Sequence, residues 1–209
     1  MCGRRANKVL NLIKSNGGNQ INTCHTPRLY KSMVLPILSY GSPAWSPSKG
    51  DLKTIEQVQR RATKWILGYS DLAYADRLQA LNILPLSLNL QIYDILTFVK
   101  LLNDDSNFPW FNFVHRNRNT ENSNHPTRSA ARNDFILPTI NKEIQRQNFW
   151  YRAPRLYNIL ARHIPLEGSS AKSRILKFFW DYYNSSYSEL DMCTWTFACL
   201  CCACRLRIP

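Results

Sequence analysis

Between Asp51 and Leu67 apolar side chains return every three or four residues, at Leu52, Ile55, Val58, Ala62, Trp65 and Ile66. Lys53, Glu56, Arg60 and Lys64 fill positions between them. Only a helix lines up such a series, because its 3.6-residue turn brings i, i+3, i+4 and i+7 to one side. The spacing predicts a helix over Asp51–Leu67 with one buried stripe and one solvated face. Gly68 is placed to end it, since glycine enters the left-handed region at no steric cost. Glu56 and Arg60 make an i,i+4 pair on the solvated face, where such pairs add a few tenths of a kcal/mol.

The same period recurs on both sides. Thr26–Leu38 reads as a helix with Thr26 as N-cap and Pro27 at the first helical position. Leu29, Tyr30, Met33, Val34, Ile37 and Leu38 form its apolar stripe, and Pro36 is expected to kink it. Gly41-Ser42-Pro43 and Ser46-Pro47 then break the chain. A short helix is expected over Leu72–Leu81 and a long one over Ser87–Asn103, through Leu90, Tyr93, Ile95, Leu96, Val99 and Leu102. Residues 26–103 thus read as a four-helix unit. Residues 1–105 make a helical region, 106–133 a polar linker rich in Asn, Ser and Arg, and 134–190 a smaller, mostly helical segment. Residues 191–209 form a Cys-rich tail. In the downstream segment Asp134–Leu137 suits a short strand. Tyr151–Ala161 and Ala171–Tyr183 suit helices, the second with Ser169 or Ser170 as N-cap. With 12% aromatic residues and only 7 glycines, the fold class expected is mainly α.

Charge narrows the partners. Twenty-seven Lys and Arg against fourteen Asp and Glu give +13, with a pI near 9.7. Such an excess suits a polyanion. It is localised: residues 1–65 hold eleven basic and two acidic side chains, 66–105 two and five, and 106–209 fourteen and seven. Met1-Cys2-Gly3-Arg4-Arg5 is followed by no apolar run, so no signal peptide is expected. The apolar stretch Trp195 to Cys204 falls far short of the roughly 20 residues of a membrane span. The expectation is an intracellular chain, nuclear or cytoplasmic, with no membrane partner.

Four ordered stretches carry a resemblance. The first is Leu29-Tyr30-Lys31-Ser32-Met33-Val34-Leu35-Pro36-Ile37-Leu38-Ser39-Tyr40-Gly41, running on through Ser42-Pro43-Ala44-Trp45-Ser46-Pro47. Ile55-Glu56-Gln57-Val58-Gln59-Arg60-Arg61-Ala62-Thr63-Lys64 is the second, and Tyr74-Ala75-Asp76-Arg77-Leu78 with Leu81-Asn82-Ile83 the third. The fourth is Phe149-Trp150-Tyr151-Arg152-Ala153-Pro154-Arg155-Leu156-Tyr157-Asn158, with Ile164-Pro165 and Lys177-Phe178-Phe179 behind it. Together they resemble the region after the polymerase palm in reverse transcriptases of LINE-like (non-LTR) retrotransposons, of the chicken-repeat and jockey type. The resemblance covers roughly residues 5–183. It implies a thumb that holds the template–primer duplex, followed by the family's downstream segment. The palm that carries the metal-binding carboxylates lies upstream of the matching region in that family. A non-catalytic C-terminal part of an RNA-directed DNA polymerase is therefore expected, and no enzyme activity of its own.

Two strings imitate a polymerase site, which needs carboxylates holding two divalent metals. Tyr74-Ala75-Asp76-Arg77 approaches the aromatic-x-Asp-Asp signature, but Arg77 puts a cation where a metal would sit, and the flanks have helical period. Asp104-Asp105 opens a polar loop with no third carboxylate nearby. No catalytic residue is assigned.

The nucleic-acid candidates are Lys49, Lys53, Arg60, Arg61 and Lys64 with Trp45 beside them, and Arg4 and Arg5 with Lys8 as a flexible arm. Cations bind phosphates by counterion release, and exposed aromatic rings stack on bases. The plainer alternative makes Trp45 core and the charges an ordinary solvated face. Arg128, Arg132, Arg146, Arg152 and Arg155 form a looser second basic group among Phe149, Trp150 and Tyr151. Cys193, Cys199, Cys201 and Cys204 are weak zinc candidates: Cys201 and Cys204 have the gap of a zinc hook, but a second, distant hook is missing. Without zinc they are a reduced tail prone to oxidation. The partners expected are nucleic acid, as an RNA–DNA hybrid or other duplex, and a separate palm-bearing polymerase chain. The rival reading is a helical protein-interaction module or the inert relic of a decayed retroelement, motivated by aromatic residues at Trp110, Phe111, Phe113 and Trp150.

Overall fold

Ser48 begins the helix that the apolar spacing predicts. Its Oγ accepts the backbone N–H of Asp51 at 3.2 Å and donates to the Asp51 carboxylate at 2.7 Å. This cap satisfies one of the otherwise unpaired N–H groups of the first turn. In the computed structural model helix α4 therefore runs Lys49–Ile66, and Gly68, at φ +69°, leaves it in the left-handed region. The structure describes residues 2–17, 25–45, 47–68, 71–103, 109, 112–117 and 134–186.

These residues are mainly helical. The order is α1 (Cys2–Gly17), α2 (Thr26–Leu29), a π-helical turn (Tyr30–Val34), α3 (Leu35–Ser39), α4, α5 (Tyr74–Ala80) and α6 (Leu86–Asn103). Then come β1 (His115–Arg116), β2 (Phe135–Ile136), α7 (Glu143–Arg146), α8 (Phe149–Leu160) and α9 (Ala171–Ser186). The chain divides into two compact units: Met1–Ser42 with Pro47–Leu90, and Pro43–Ser46 with Gln91–Pro209.

In the first unit the N-terminal residues expected as a flexible arm form α1 instead. Ala6, Leu10 and Ile13, at four-and-three spacing, are buried, and the helix packs on α3, on the π turn and on α4. A Cβ built on Gly3 stands 3.8 Å from Ile55 Cγ2, and Lys14 Nζ lies 5.5 Å from the centre of the Trp65 ring. Gly3 to Lys14 and Ile55 to Trp65 are nearly equal lengths of helix, roughly 15–17 Å each at 1.5 Å per residue. So α1 and α4 run side by side in the same direction.

Pro36 has no N–H for the carbonyl four residues back, so the helical ladder must open near it. It opens in the turn just before: the Leu35 N–H reaches the Tyr30 carbonyl, five residues away. The expected kink thus takes the form of one wide turn. Lys31, within it, donates to the Asn82 carbonyl at the end of α5 at 2.9 Å. Burial lowers the Lys31 ammonium pKa.

On α4 the buried residues are Ile55, Val58, Ala62 and Ile66, with Leu52 and Trp65 half-buried at the margins of the stripe. Two polar residues share the stripe. Gln59 accepts the Tyr30 hydroxyl at 2.9 Å and donates to the Leu84 carbonyl at 2.9 Å, and Thr63 donates to the Arg60 carbonyl.

The second unit has an aromatic core. Phe98 of α6 meets Phe135 of β2 edge-on at 5.2 Å and Tyr157 of α8 at 5.8 Å, and Phe135 meets Tyr157 at 5.1 Å. β2 pairs antiparallel with β1, Phe135 opposite Arg116 and Ile136 opposite His115. Asn158, buried in α8, accepts the Phe135 N–H at 3.0 Å and donates to the Phe135 carbonyl at 2.8 Å. One side-chain amide thereby supplies Phe135 with a backbone-like partner. α8 begins two residues before the expected Tyr151, because Asn148 caps it by accepting the Trp150 N–H. In α9, Ala171, Ile175, Phe179 and Tyr183 give the buried stripe at regular four-residue spacing.

Asp94 of α6 and Arg152 of α8 form a two-pronged ion pair, Nε to Oδ2 and Nη2 to Oδ1, both at 3.1 Å. Both side chains are 10% exposed. Removing one member of such a pair leaves a charge buried without its counter-ion. Asp94→Ala is expected to destabilise the protein by about 3–5 kcal/mol, read from urea unfolding; a loss below about 1 kcal/mol, as for surface pairs, contradicts the structure.

Candidate nucleic-acid interface

The cationic side chains of α4 sort by helical position. Lys53, Arg61 and Lys64 are exposed; Lys53 and Lys64 lie opposite the Ile55–Val58–Ala62–Ile66 stripe, and Arg61 stands at its flank. Lys53 and Lys64 span roughly 16 Å of helix. Arg60 is half-buried, with its guanidinium 4.3 Å from the centre of the Tyr74 ring, so it sits at the margin of this face. Lys49 is the first residue of the helix; its side chain lies outside the described part.

α1 adds a second row. Arg4, Arg5 and Lys8 are all exposed, and Arg4 and Lys8 are one turn apart on the side away from Ala6 and Leu10. α1 and α4 are parallel neighbours in one unit, and each carries one of the two rows. Lys14, absent from the candidates that spacing picks out, joins them: burial and then the charge of Arg61 lower its pKa. Its signal in the sequence is its place in the last turn of a helix, the negative end of the dipole. Trp45 is half-buried and belongs to the second unit.

Glu56 does not lie on the solvated face. Its carboxylate faces inward, accepting the Tyr74 hydroxyl and, at 3.1 Å, the N–H of Leu86, the first residue of α6. Burial raises its pKa above the ordinary 4.5, and the bonds from Tyr74 and Leu86, the charge of Arg60 and the Ser87 N–H pull part of that rise back. The Tyr74 hydroxyl is pushed far up by burial and by this neighbour. Arg77 also approaches the Tyr74 ring, at 5.6 Å, and donates to the Leu72 carbonyl. Tyr74, Asp76 and Arg77 stand on helix α5, as the helical period of their flanks predicts.

Comparison with protein-family models, curated proteins and solved structures finds no match.

The remaining candidates scatter. Arg152 is matched by Asp94. Arg146 and Arg155 are half-buried. Arg128 and Arg132, the Asp104-Asp105 pair, and Cys193, Cys199, Cys201 and Cys204 lie outside the described residues. Of the aromatic residues behind the interaction-module reading, Trp110 and Phe111 also lie outside them. Phe113 and Trp150 stack on each other with centres 4.7 Å apart. Among the described residues no group of three or more His, Cys, Asp and Glu side chains could hold a metal ion. Among them, too, no helix is long and apolar enough to cross a membrane.

The raised pKa of Glu56 fixes the sign of a pH effect. The folded chain holds this proton more tightly than the unfolded one. The resulting stabilisation is complete below the ordinary value of 4.5 and is lost as pH rises through the folded value. Glu56→Gln removes that loss, and its amide oxygen can still accept from Tyr74 and Leu86. The melting temperature of the variant relative to the parent is expected to be higher at pH 7 than at pH 4. An equal difference at both values rules out the buried carboxylate.

Proposed function

We propose that the α1–α4 face binds the phosphate backbones of a nucleic-acid duplex, and that the chain is the thumb and downstream part of a LINE-like reverse transcriptase. One observation carries this reading: exposed cations line two neighbouring parallel helices of one unit, Arg4, Arg5 and Lys8 on α1 and Lys53, Arg61 and Lys64 on α4.

A duplex backbone offers such rows a regular series of counter-charges. Phosphates on neighbouring ridges would draw counter-charge from both helices, and release of their condensed cations drives binding. It also offsets the mutual repulsion of Lys14 and Arg61. The balance of the unit agrees: twelve Lys and Arg against four Asp and Glu, net +8, with Glu56 turned inward. Contacts of this kind position a duplex without reading bases. The order of motifs along the chain supports a template–primer hybrid as the natural duplex, held for a polymerase palm that supplies the chemistry.

Affinity for a fluorescent RNA–DNA hybrid is expected to fall steeply with salt. The triple variant Lys53→Ala, Arg61→Ala, Lys64→Ala should weaken binding at every duplex sequence. It should also reduce the slope of log K against log salt by about 3, one for each phosphate that is no longer neutralised. Its circular dichroism should match the parent, because these side chains are exposed. Undetectable binding at low salt, or an unchanged slope in the variant, refutes the interface.

A further inference from the structure

In the second unit, the segments around 112–113, 138–140 and 145–151 line an open cleft of about 360 Å³. One wall is the stacked pair Phe113 and Trp150, with planes 11° apart; Phe113 is 50% exposed. Pro138 and Tyr151 add further flat surface. Such a volume accepts a small planar ligand, and π-faces next to solvent favour stacking with a heterocycle.

Two amides lining the cleft have fixed orientations. The Gln145 side-chain oxygen accepts the N–H groups of Asn141 and Lys142, both at 3.2 Å. The Asn148 oxygen accepts the Trp150 N–H at 3.0 Å. Only an oxygen can receive a backbone N–H, so neither amide can be flipped. Each therefore has its NH2 group left to donate. A ligand that meets them presents acceptors, carbonyl oxygens or ring nitrogens. The surroundings are cationic: residues 134–186 hold eight Lys and Arg against four Asp and Glu, net +4.

We infer that this cleft takes an unpaired nucleobase, stacked against the Phe113–Trp150 pair and hydrogen-bonded through its acceptors by Gln145 and Asn148. It reads a base where the α1–α4 face reads only phosphates, and it stands on observations independent of that face. The base can come from a single strand or from a free nucleotide.

The test uses the full chain and fluorescein-labelled eight-nucleotide single strands of thymidine and of abasic sugar-phosphate at low salt. The thymidine strand should bind at least roughly tenfold more tightly than the abasic one, the worth of one stacked base. Phe113→Ala should abolish that ratio. Gln145→Glu keeps the oxygen that caps α7 but loses the NH2 donor, and should lower that ratio. Competition by millimolar uridine monophosphate would assign the site to free nucleotides, and its absence to strands; either supports a base site. Equal affinity for thymidine and abasic strands, or a ratio untouched by Phe113→Ala, overturns it. The Lys53, Arg61, Lys64 triple variant should lower affinities while leaving the thymidine-to-abasic ratio in place, so the two sites can fail separately.

Discussion

Glu56 is a carboxylate taken out of water at the place where α4, α5 and the start of α6 converge. Its desolvation is unfavourable, and the fold surrounds it with what a carboxylate needs: a phenol hydroxyl from Tyr74, the first N–H of α6 at Leu86, and the guanidinium of Arg60 close by. The N-terminus of α6 gains in turn, because its unpaired N–H groups and positive pole receive an acceptor. One turn further along α4, Gln59 ties down Leu84 and Tyr30. These two side chains on one helix hold Tyr74 of α5, the chain at Leu84–Leu86 and the π turn against it. They also settle which side of α4 is left for water, and so where Lys53, Arg61 and Lys64 point.

The second unit uses a different device for the same purpose. Asn158 imitates a peptide group beside Phe135, and Arg152 reaches Asp94 through two parallel bonds. Both are directional, and both sit in an aromatic core whose edge-to-face contacts tolerate few alternatives. Apolar packing makes each unit stable; these polar pairs restrict how its elements can be arranged.

Much of the helical layout is legible in the sequence because apolar period is a strong signal, and α4, α6, α8 and α9 differ from the expected bounds by a few residues at most. The misses have physical causes. α1 carries its own pattern in Ala6, Leu10 and Ile13, but Arg4, Arg5 and Lys8 disguise it as an arm. Glu56 is expected in solvent only if charge is equated with exposure, although its helical position lies at the border of the stripe. β1 is two exposed residues long and has no period to detect. Of the basic candidates, Lys53, Arg60 and Lys64 group together from spacing alone, at i, i+7 and i+11. That Arg60 turns onto Tyr74 does not follow from spacing, since it depends on a partner fourteen positions away. The cleft in the second unit is built from three separated segments, and no local pattern announces such a meeting.

The wide turn at Tyr30–Val34 bears on how this chain tolerates changes of length. Tyr30, Val34 and Leu38 are all buried at intervals of four, a step that overshoots one α-helical turn by about 40°. The looser turn falls short by nearly as much, so the two errors cancel and the three side chains stay in line. Deleting a single residue between Tyr30 and Leu35 would replace four wide steps by three α-helical ones, about 300° of turn in place of only slightly more. Leu38 and Ser39 would keep their bearing on the core. The wide turn thus takes up one residue of chain length without rotating the helix that follows it.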